Sequence, residues 1–294
     1  MPGSRRPSLA RAILFGRNPS QDDPFDVEAD AADALGVDAY QVDLQALLSG
    51  NPEQAVSTLP QRGRLPLLYR GWMLTEEEYT ALDEAVSALG HRLTTTPEQY
   101  AAALYLPHWY PHVARYTARS VWTEGTDAAE AWHAAQALGP RPWLVKDHVK
   151  SAKERWDEAC FIPAGTTQAR FEQICANLVD ERGERFERGL VVRKFLPFKE
   201  YGRTPAGPAH LEFRLFFGNG RLLAAEPYHE FDVDVPDFTG FEPLARRIDS
   251  PFLTLDVAML QEGGWAVVEV NDGGVSGLPP GLDPRTLFEA LLDR

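Results

Sequence analysis

Apolar positions in the first hundred residues fall into short continuous runs separated by stretches of helical spacing. Residues 12–15 are apolar throughout and bounded by Gly16 and Pro19, which predicts a first strand. Residues 26–35 show helical spacing and stop at Gly36; residues 39–44 and 65–69 read as second and third strands. From 75 to 89 the pattern is helical again. Thr75 followed by Glu78 matches a capping box, Tyr79, Leu82 and Val86 form one face, and Gly90 ends the helix. This alternation predicts a small α/β lobe to about residue 95. Thr96-Pro97-Glu98 opens another helix, with Pro97 suited to its first position. An aromatic-rich stretch follows (Tyr105, Trp109, Tyr110, Tyr116, Trp122), in which Pro107 and Pro111 are expected to break the helix.

Strand signals dominate the rest. Residues 143–149, 159–163 and 190–196 read as strands, and 167–182 as a helix with Phe171, Ile174, Cys175, Leu178 and Val179 on one face. Residues 201–210 read as a Gly/Pro-rich loop. Residues 211–217 and 221–225 form a hairpin across Gly218-Asn219-Gly220, and 253–260 with 265–270 a second across Gly263-Gly264. A final helix starts at Pro284 with Asp283 as its cap. There is no internal repeat.

Composition narrows the function. Over 294 residues, Lys+Arg 29 against Asp+Glu 43 leaves a net charge of −14, which argues against a nucleic-acid partner. No apolar run approaches the ~20 residues of a membrane span, and the N-terminal run is too short for a signal-peptide core. The expected location is cytoplasmic. Cys160 and Cys175 provide neither a disulfide framework nor a C-x-x-C pair; Cys175 reads as a small buried hydrophobe. P-loop, G-x-G-x-x-G, H-E-x-x-H and G-x-S-x-G motifs do not occur.

Three segments carry candidate chemistry. If Gly263 and Gly264 are the second hairpin's loop, Asp256 lies opposite Asn271 and Ala258 opposite Glu269, and alternation places Asp256, Glu269 and Asn271 on one face. Two carboxylates and an amide oxygen on rigid strands suit magnesium. A solvated sheet face would also place acids outward, but Val267, Val268 and Val270 crowd this one with apolar neighbours. In the second segment Lys146 sits in an apolar strand and Lys150 and Lys153 follow on a short flexible loop. They could clamp α- and β-phosphates or form a charged hairpin edge. In the third, Glu212 and Arg214 share one face of a strand, either as a structural pair or to address a ligand such as a transferring phosphoryl group. His108 and His112 are four apart, as metal ligands on a helix can be, but no carboxylate joins them nearby, so packing or substrate contact is the better reading.

Taken together, in order and spacing, these residues resemble the ATP-grasp superfamily over roughly residues 119–294. The D-x-A…V-x-E-x-N-D pattern of Asp256, Glu269 and Asn271 resembles that fold's magnesium triad. Lys146 resembles the phosphate-contacting lysine of the central lobe. RKFLPFKE resembles the interlobe hinge, whose backbone around Lys194, Phe195 and Leu196 would meet adenine, with Glu200 as the acid that holds ribose. Glu212 and Arg214 match the E-x-R strand beside the γ-phosphate. YRGWML at residues 69–74 and TTPEQY at 95–100 are similar to a clade carrying a pre-ATP-grasp lobe. The chain departs from the common pattern at one point: residues 101–122 lack the early lysine, for which Arg115 or Arg119 would substitute.

The resemblance implies an α+β architecture: an α/β lobe at residues 1–118, then an ATP-grasp domain at 119–294. The central lobe would span about 119–192 and the C-terminal lobe about 193–294, the two gripping ATP between antiparallel sheets. It implies ATP and Mg2+ as cofactors, and a ligase joining a small-molecule or peptide carboxylate to an amine or similar nucleophile through an acyl-phosphate. Arg214 and Lys146 would be catalytic, with Lys150 and Lys153 on phosphate. Arg70, Trp72, Gly273, Gly274 and Ser276 are candidates for the acceptor substrate. A phosphotransferase and a non-catalytic nucleotide sensor are the competing readings.

Overall fold

The computed structural model describes residues 9–17, 23–204 and 207–292. Most of the N-terminal stretch weighed as a signal sequence, and Pro19, lie outside these residues.

In chain order the elements begin with β1 (Ala12–Gly16), α1 (Asp26–Ala34), β2 (Asp38–Gln41), α2 (Leu44–Leu48), α3 (Pro52–Ala55) and β3 (Pro66–Gly71). Next come α4 (Glu76–Ala88), β4 (Arg92–Leu93), α5 (Pro97–Leu104), α6 (Leu106–Val113), β5 (Ser120–Trp122) and α7 (Ala128–Ala135). The middle of the chain supplies β6 (Trp143–Asp147), β7 (Phe161–Ile162), α8 (Gln168–Arg182) and β8 (Leu190–Lys194). The remainder supplies β9 (Glu200–Thr204), β10 (Gly207–His210), β11 (Glu212–Gly218), β12 (Arg221–Pro227), α9 (Glu242–Ala245), β13 (Phe252–Met259), β14 (Trp265–Asp272) and α10 (Pro284–Leu292).

The chain forms two compact units. The first gathers residues 1–103, 212–256 and 269–294; the second gathers 104–211 and 257–268. In the first, a parallel sheet runs in the order β2-β1-β3-β4. Every residue of β1 is buried, as expected where both faces of a parallel sheet are covered, and this explains its continuous rather than alternating apolar pattern. Phe15, Phe25, Leu68, Phe216, Phe252, Phe288 and Leu291 share one core. A second sheet follows the order β12-β11-β13-β14. The β11–β12 hairpin turns on Asn219 and Gly220, whose φ angles of 49° and 68° are the left-handed values that a tight hairpin turn requires.

The second unit holds an antiparallel sheet in the order β5-β8-β6-β7. Trp143, Val145 and Val192 of that sheet meet Phe171, Ile174, Cys175 and Leu178 of α8. Both thiols are buried, and burial pushes Cys160 up to about 11 and Cys175 higher still; Cys175 is the small buried side chain that its place in the helical pattern predicts.

Several local expectations change. The second strand stops at Gln41 because the Asp43 carboxylate accepts the Ala46 N–H and starts α2. Pro111 does not break its helix: α6 continues through it, with Leu106, Trp109 and Val113 buried at helical spacing. Residues 159–160 belong to a π-turn, Trp156–Cys160, so the strand there is only Phe161–Ile162. The strand expected at 190–196 ends at Lys194. The loop expected at 201–210 is the two-stranded ribbon β9–β10, in which Pro208 sits opposite Arg203; a ribbon edge tolerates the missing N–H that hid the strand pattern. The β13–β14 reversal is wider than two glycines. Leu260 donates its N–H to Gly264 O, and its carbonyl accepts from Gly263 N–H.

The α4 capping box is complete: Thr75 Oγ1 accepts from Glu78 N–H, and Glu78 Oε2 accepts from Thr75 N–H. Thr75→Ala is expected to cost about 1 kcal/mol of stability, measured as a lower urea midpoint by circular dichroism.

Candidate functional site

In the first unit the acids and the arginine meet. Arg214 of β11 donates Nε and Nη2 to Oδ1 and Oδ2 of Asp256 on β13, both at 2.8 Å, and Nη1 to Gly277 O at 2.8 Å. Its guanidinium carbon lies 4.8 Å over the Tyr228 ring. Burial alone would lower the Arg214 pKa; the Asp256 carboxylate, helped by Glu269, instead holds it above the ordinary arginine value. Arg214, Asp256 and Glu269 are therefore one electrostatic cluster.

Asn271 joins that cluster through its amide nitrogen, which donates to Glu269 Oε2 at 3.1 Å. Its Oδ1 is buried and has no hydrogen-bond partner among the described residues. A buried acceptor left open usually marks a site for an ion or water. An amide oxygen next to the Glu269 carboxylate, with Asp256 in the same electrostatic cluster, is a hard-oxygen donor set of the kind magnesium takes, so the residues present fit the ion. Among the described residues, no three histidine, cysteine, aspartate or glutamate side chains gather as a metal site. His108 and His112 thus acquire no third ligand of that kind. Glu212 is half-buried two residues before Arg214 on β11.

The chain leaves β14 into a tight turn over Gly273–Val275, where Asp272 Oδ1 accepts the Gly274 N–H at 2.7 Å. Asp272 is buried, and burial raises its carboxyl to about 7. Ser276 is buried too, its hydroxyl bonded to Thr254 Oγ1 and Asp272 O at 2.8 Å each. A Cβ on Gly274 would lie 2.5 Å from Tyr69 O, so only glycine fits. Arg70 is fully buried and bonds Glu28, Gly273 O and Ser276 O. Trp72 is half exposed, its Nε1 donating to Asp23 Oδ2 at 2.7 Å.

In the second unit Lys146 lies on β6 opposite Val191 and is buried; Lys150 is half-buried and Lys153 exposed. Lys153 and Lys146 both act electrostatically on the Cys160 thiol, against the larger, opposite effect of burial. The segment expected to be a flexible loop is held: Asp147 Oδ1 accepts the N–H groups of Val149 and Lys150, and Oδ2 accepts Arg182 Nε. Lys194 N–H donates to Arg119 O, its Nζ bonds Pro140 O, and Phe195 N–H donates to Pro142 O at 3.2 Å. The Phe195 ring meets Phe161, which stacks on Trp156. Leu196 is half-buried and Glu200 exposed.

Sequence reasoning missed His210. Its Nδ1 is buried with no partner among the described residues, and burial lowers its pKa while Glu200 and Lys153 act on it in opposite senses. Its only signal was a histidine ending a segment read as loop. Asp272 and Glu28 were missed as well; Asp272 could have been noticed as an acid directly before two glycines.

Solved structures share this fold at low identity. A RimK domain ATP-grasp protein from Sphaerobacter thermophilus matches with a TM-score of 0.61 and 16% identity, covering 96% of this chain and 100% of that one. D-cycloserine synthetase DcsG matches at 0.62 and 15%, covering 96% and 98%. The ATP-grasp ligase PsnB, solved with a minimal precursor, Mg and ADP, matches at 0.56 and 13%, covering 94% and 92%. A sequence search of curated proteins gave no match. The profile of an ATP-grasp domain family, the third family of its clade, matches residues 137–291, more than half of the chain, and the chain belongs to that family.

Proposed function

We propose that the protein is an ATP- and magnesium-dependent ligase that joins a carboxylate to an amine or similar nucleophile through an acyl-phosphate. The observation that carries this reading is the open, buried Oδ1 of Asn271 beside Glu269, in the cluster that Arg214 and Asp256 complete. Asp256, Glu269 and Asn271 would hold magnesium. The bound ion would neutralise phosphate charge as a Lewis acid.

The protein's own groups supply the rest. Asp256 and Gly277 O fix the plane of the Arg214 guanidinium through three of its five N–H donors. A pre-oriented arginine stabilises charge on a transferring phosphoryl group without reorganising. Lys146, on a buried strand, and Lys150, on a turn that Asp147 pins, would take the α- and β-phosphates as point charges, joined by Lys153 on the exposed turn that follows. The backbone of Lys194, Phe195 and Leu196 would meet adenine and Glu200 the ribose, and Glu212 lies two residues before Arg214 on the same strand. In the reaction a substrate carboxylate oxygen attacks the γ-phosphorus and ADP leaves. The nucleophile's nitrogen then attacks the acyl carbon, releasing inorganic phosphate and one proton. The turn at Gly273, Gly274 and Ser276, with Trp72 exposed at the end of β3, would face the acceptor; Arg70 reaches it only through the turn it holds.

Calorimetric titration with ATP should give binding that requires Mg2+, weakened about 10- to 100-fold in Glu269→Gln; Mg2+-independent binding would remove the metal assignment. An acid-plus-amine screen should release inorganic phosphate together with an amide. A stably phosphorylated acceptor without free phosphate would make the protein a phosphotransferase instead. In the working reaction, Arg214→Lys should slow phosphate release by roughly 100-fold or more, while ATP affinity stays within a few-fold of native.

A further inference from the structure

Arg70 stands out as a fully buried charge that the proposed chemistry does not use. It lies on β3 at 0% exposure, and its partner Glu28 on α1 is 2% exposed. The pair is bidentate: Nε to Oε2 at 2.8 Å and Nη2 to Oε1 at 2.5 Å. The guanidinium carbon lies 5.2 Å over the Phe25 ring. The remaining nitrogen, Nη1, forks to two main-chain carbonyls, Gly273 O at 2.5 Å and Ser276 O at 2.9 Å.

Stability does not explain this arrangement. Taking two charges out of water costs several kcal/mol each, and well-packed apolar side chains of similar volume often serve a core as well or better. What an apolar side chain could not do is bridge two carbonyls of one turn. That turn begins two residues after Asn271. Its other anchors also lie next to proposed metal ligands: Asp272 follows Asn271 directly, and Thr254, bonded to Ser276, precedes Asp256 by two residues on β13. Because Gly274 sits against Tyr69 O with no room for a Cβ, the turn has no slack on that side.

We propose that Arg70, oriented by Glu28, is a positioning residue for the magnesium ligands: it fixes the Gly273–Ser276 turn and thereby the aim of Asn271 Oδ1. This inference rests on the metal assignment made above. Outer groups that orient ligands typically change metal affinity 10- to 100-fold when lost.

The test separates positioning from folding. The double variant Glu28→Met/Arg70→Met removes the buried charges together, so it should fold and unfold cooperatively like the native chain, followed by circular dichroism. Its ATP affinity, measured calorimetrically across a series of Mg2+ concentrations, should reach half-effect at about 10-fold more Mg2+. Arg70→Lys keeps the charge, but its three donors cannot replace the four bonds that Arg70 makes to Glu28 and the two carbonyls, and it should shift the same way if the double variant does not fold. A native Mg2+ half-effect in a folded variant overturns the positioning role alone. Absence of any Mg2+ dependence in the native chain overturns the metal site and this inference together.

Discussion

Asp256 is buried and Glu269 half-buried, both within electrostatic reach of Arg214, and like charges so placed repel unless a cation lies among them. In the described structure that cation is Arg214, which grips Asp256 with two parallel hydrogen bonds and feels Glu269 as well. Asp256 is 3% exposed, so the pair is a buried one. Breaking such a pair from one side typically costs about 3–5 kcal/mol, because the partner stays buried and uncompensated. The acids can therefore sit on rigid strands only while their charge is matched. Asn271 donates its amide N–H to Glu269, while its buried Oδ1 has no hydrogen-bond partner among the described residues.

Features set by local chemistry could be read from the sequence. Thr75 and Glu78 are three apart and form both bonds of the capping box. Asn219-Gly220 takes the left-handed angles that its residue types allow. Period-two alternation along β11 sets the half-buried Glu212 and Arg214 apart from the buried Phe213 and Leu215.

What stayed hidden depends on partners far along the chain or on missing donors. Arg70 and Glu28 are 42 residues apart, and the turn they hold is more than 200 residues beyond Arg70. No spacing rule links them, so Arg70 read as a possible substrate contact. The ribbon β9–β10 was masked by glycine and proline, which weaken the strand signal even where pairing forms. The wide β13–β14 turn escaped because two consecutive glycines suggest a two-residue loop, whereas here Gly263 and Gly264, at φ 91° and 83°, close a longer one.

The lysine segment shows how a flexible cation becomes a fixed one. A lysine side chain carries about 2 kcal/mol of rotamer entropy, so three lysines on a loose loop would surrender much of their electrostatic gain on ordering. Asp147 changes that balance. It is fully buried at the end of β6, its Oδ1 takes two successive backbone N–H groups, and its Oδ2 is held by Arg182 of α8. The backbone that carries Lys150 is thereby set before any anion arrives, and Lys146 stands on the buried strand just before it. Lys153 lies on an exposed 3-10 turn. Within this unit Lys146 and Lys150 thus stand on backbone held by strand pairing and by Asp147, a local concentration of positive charge in a chain whose net charge is −14.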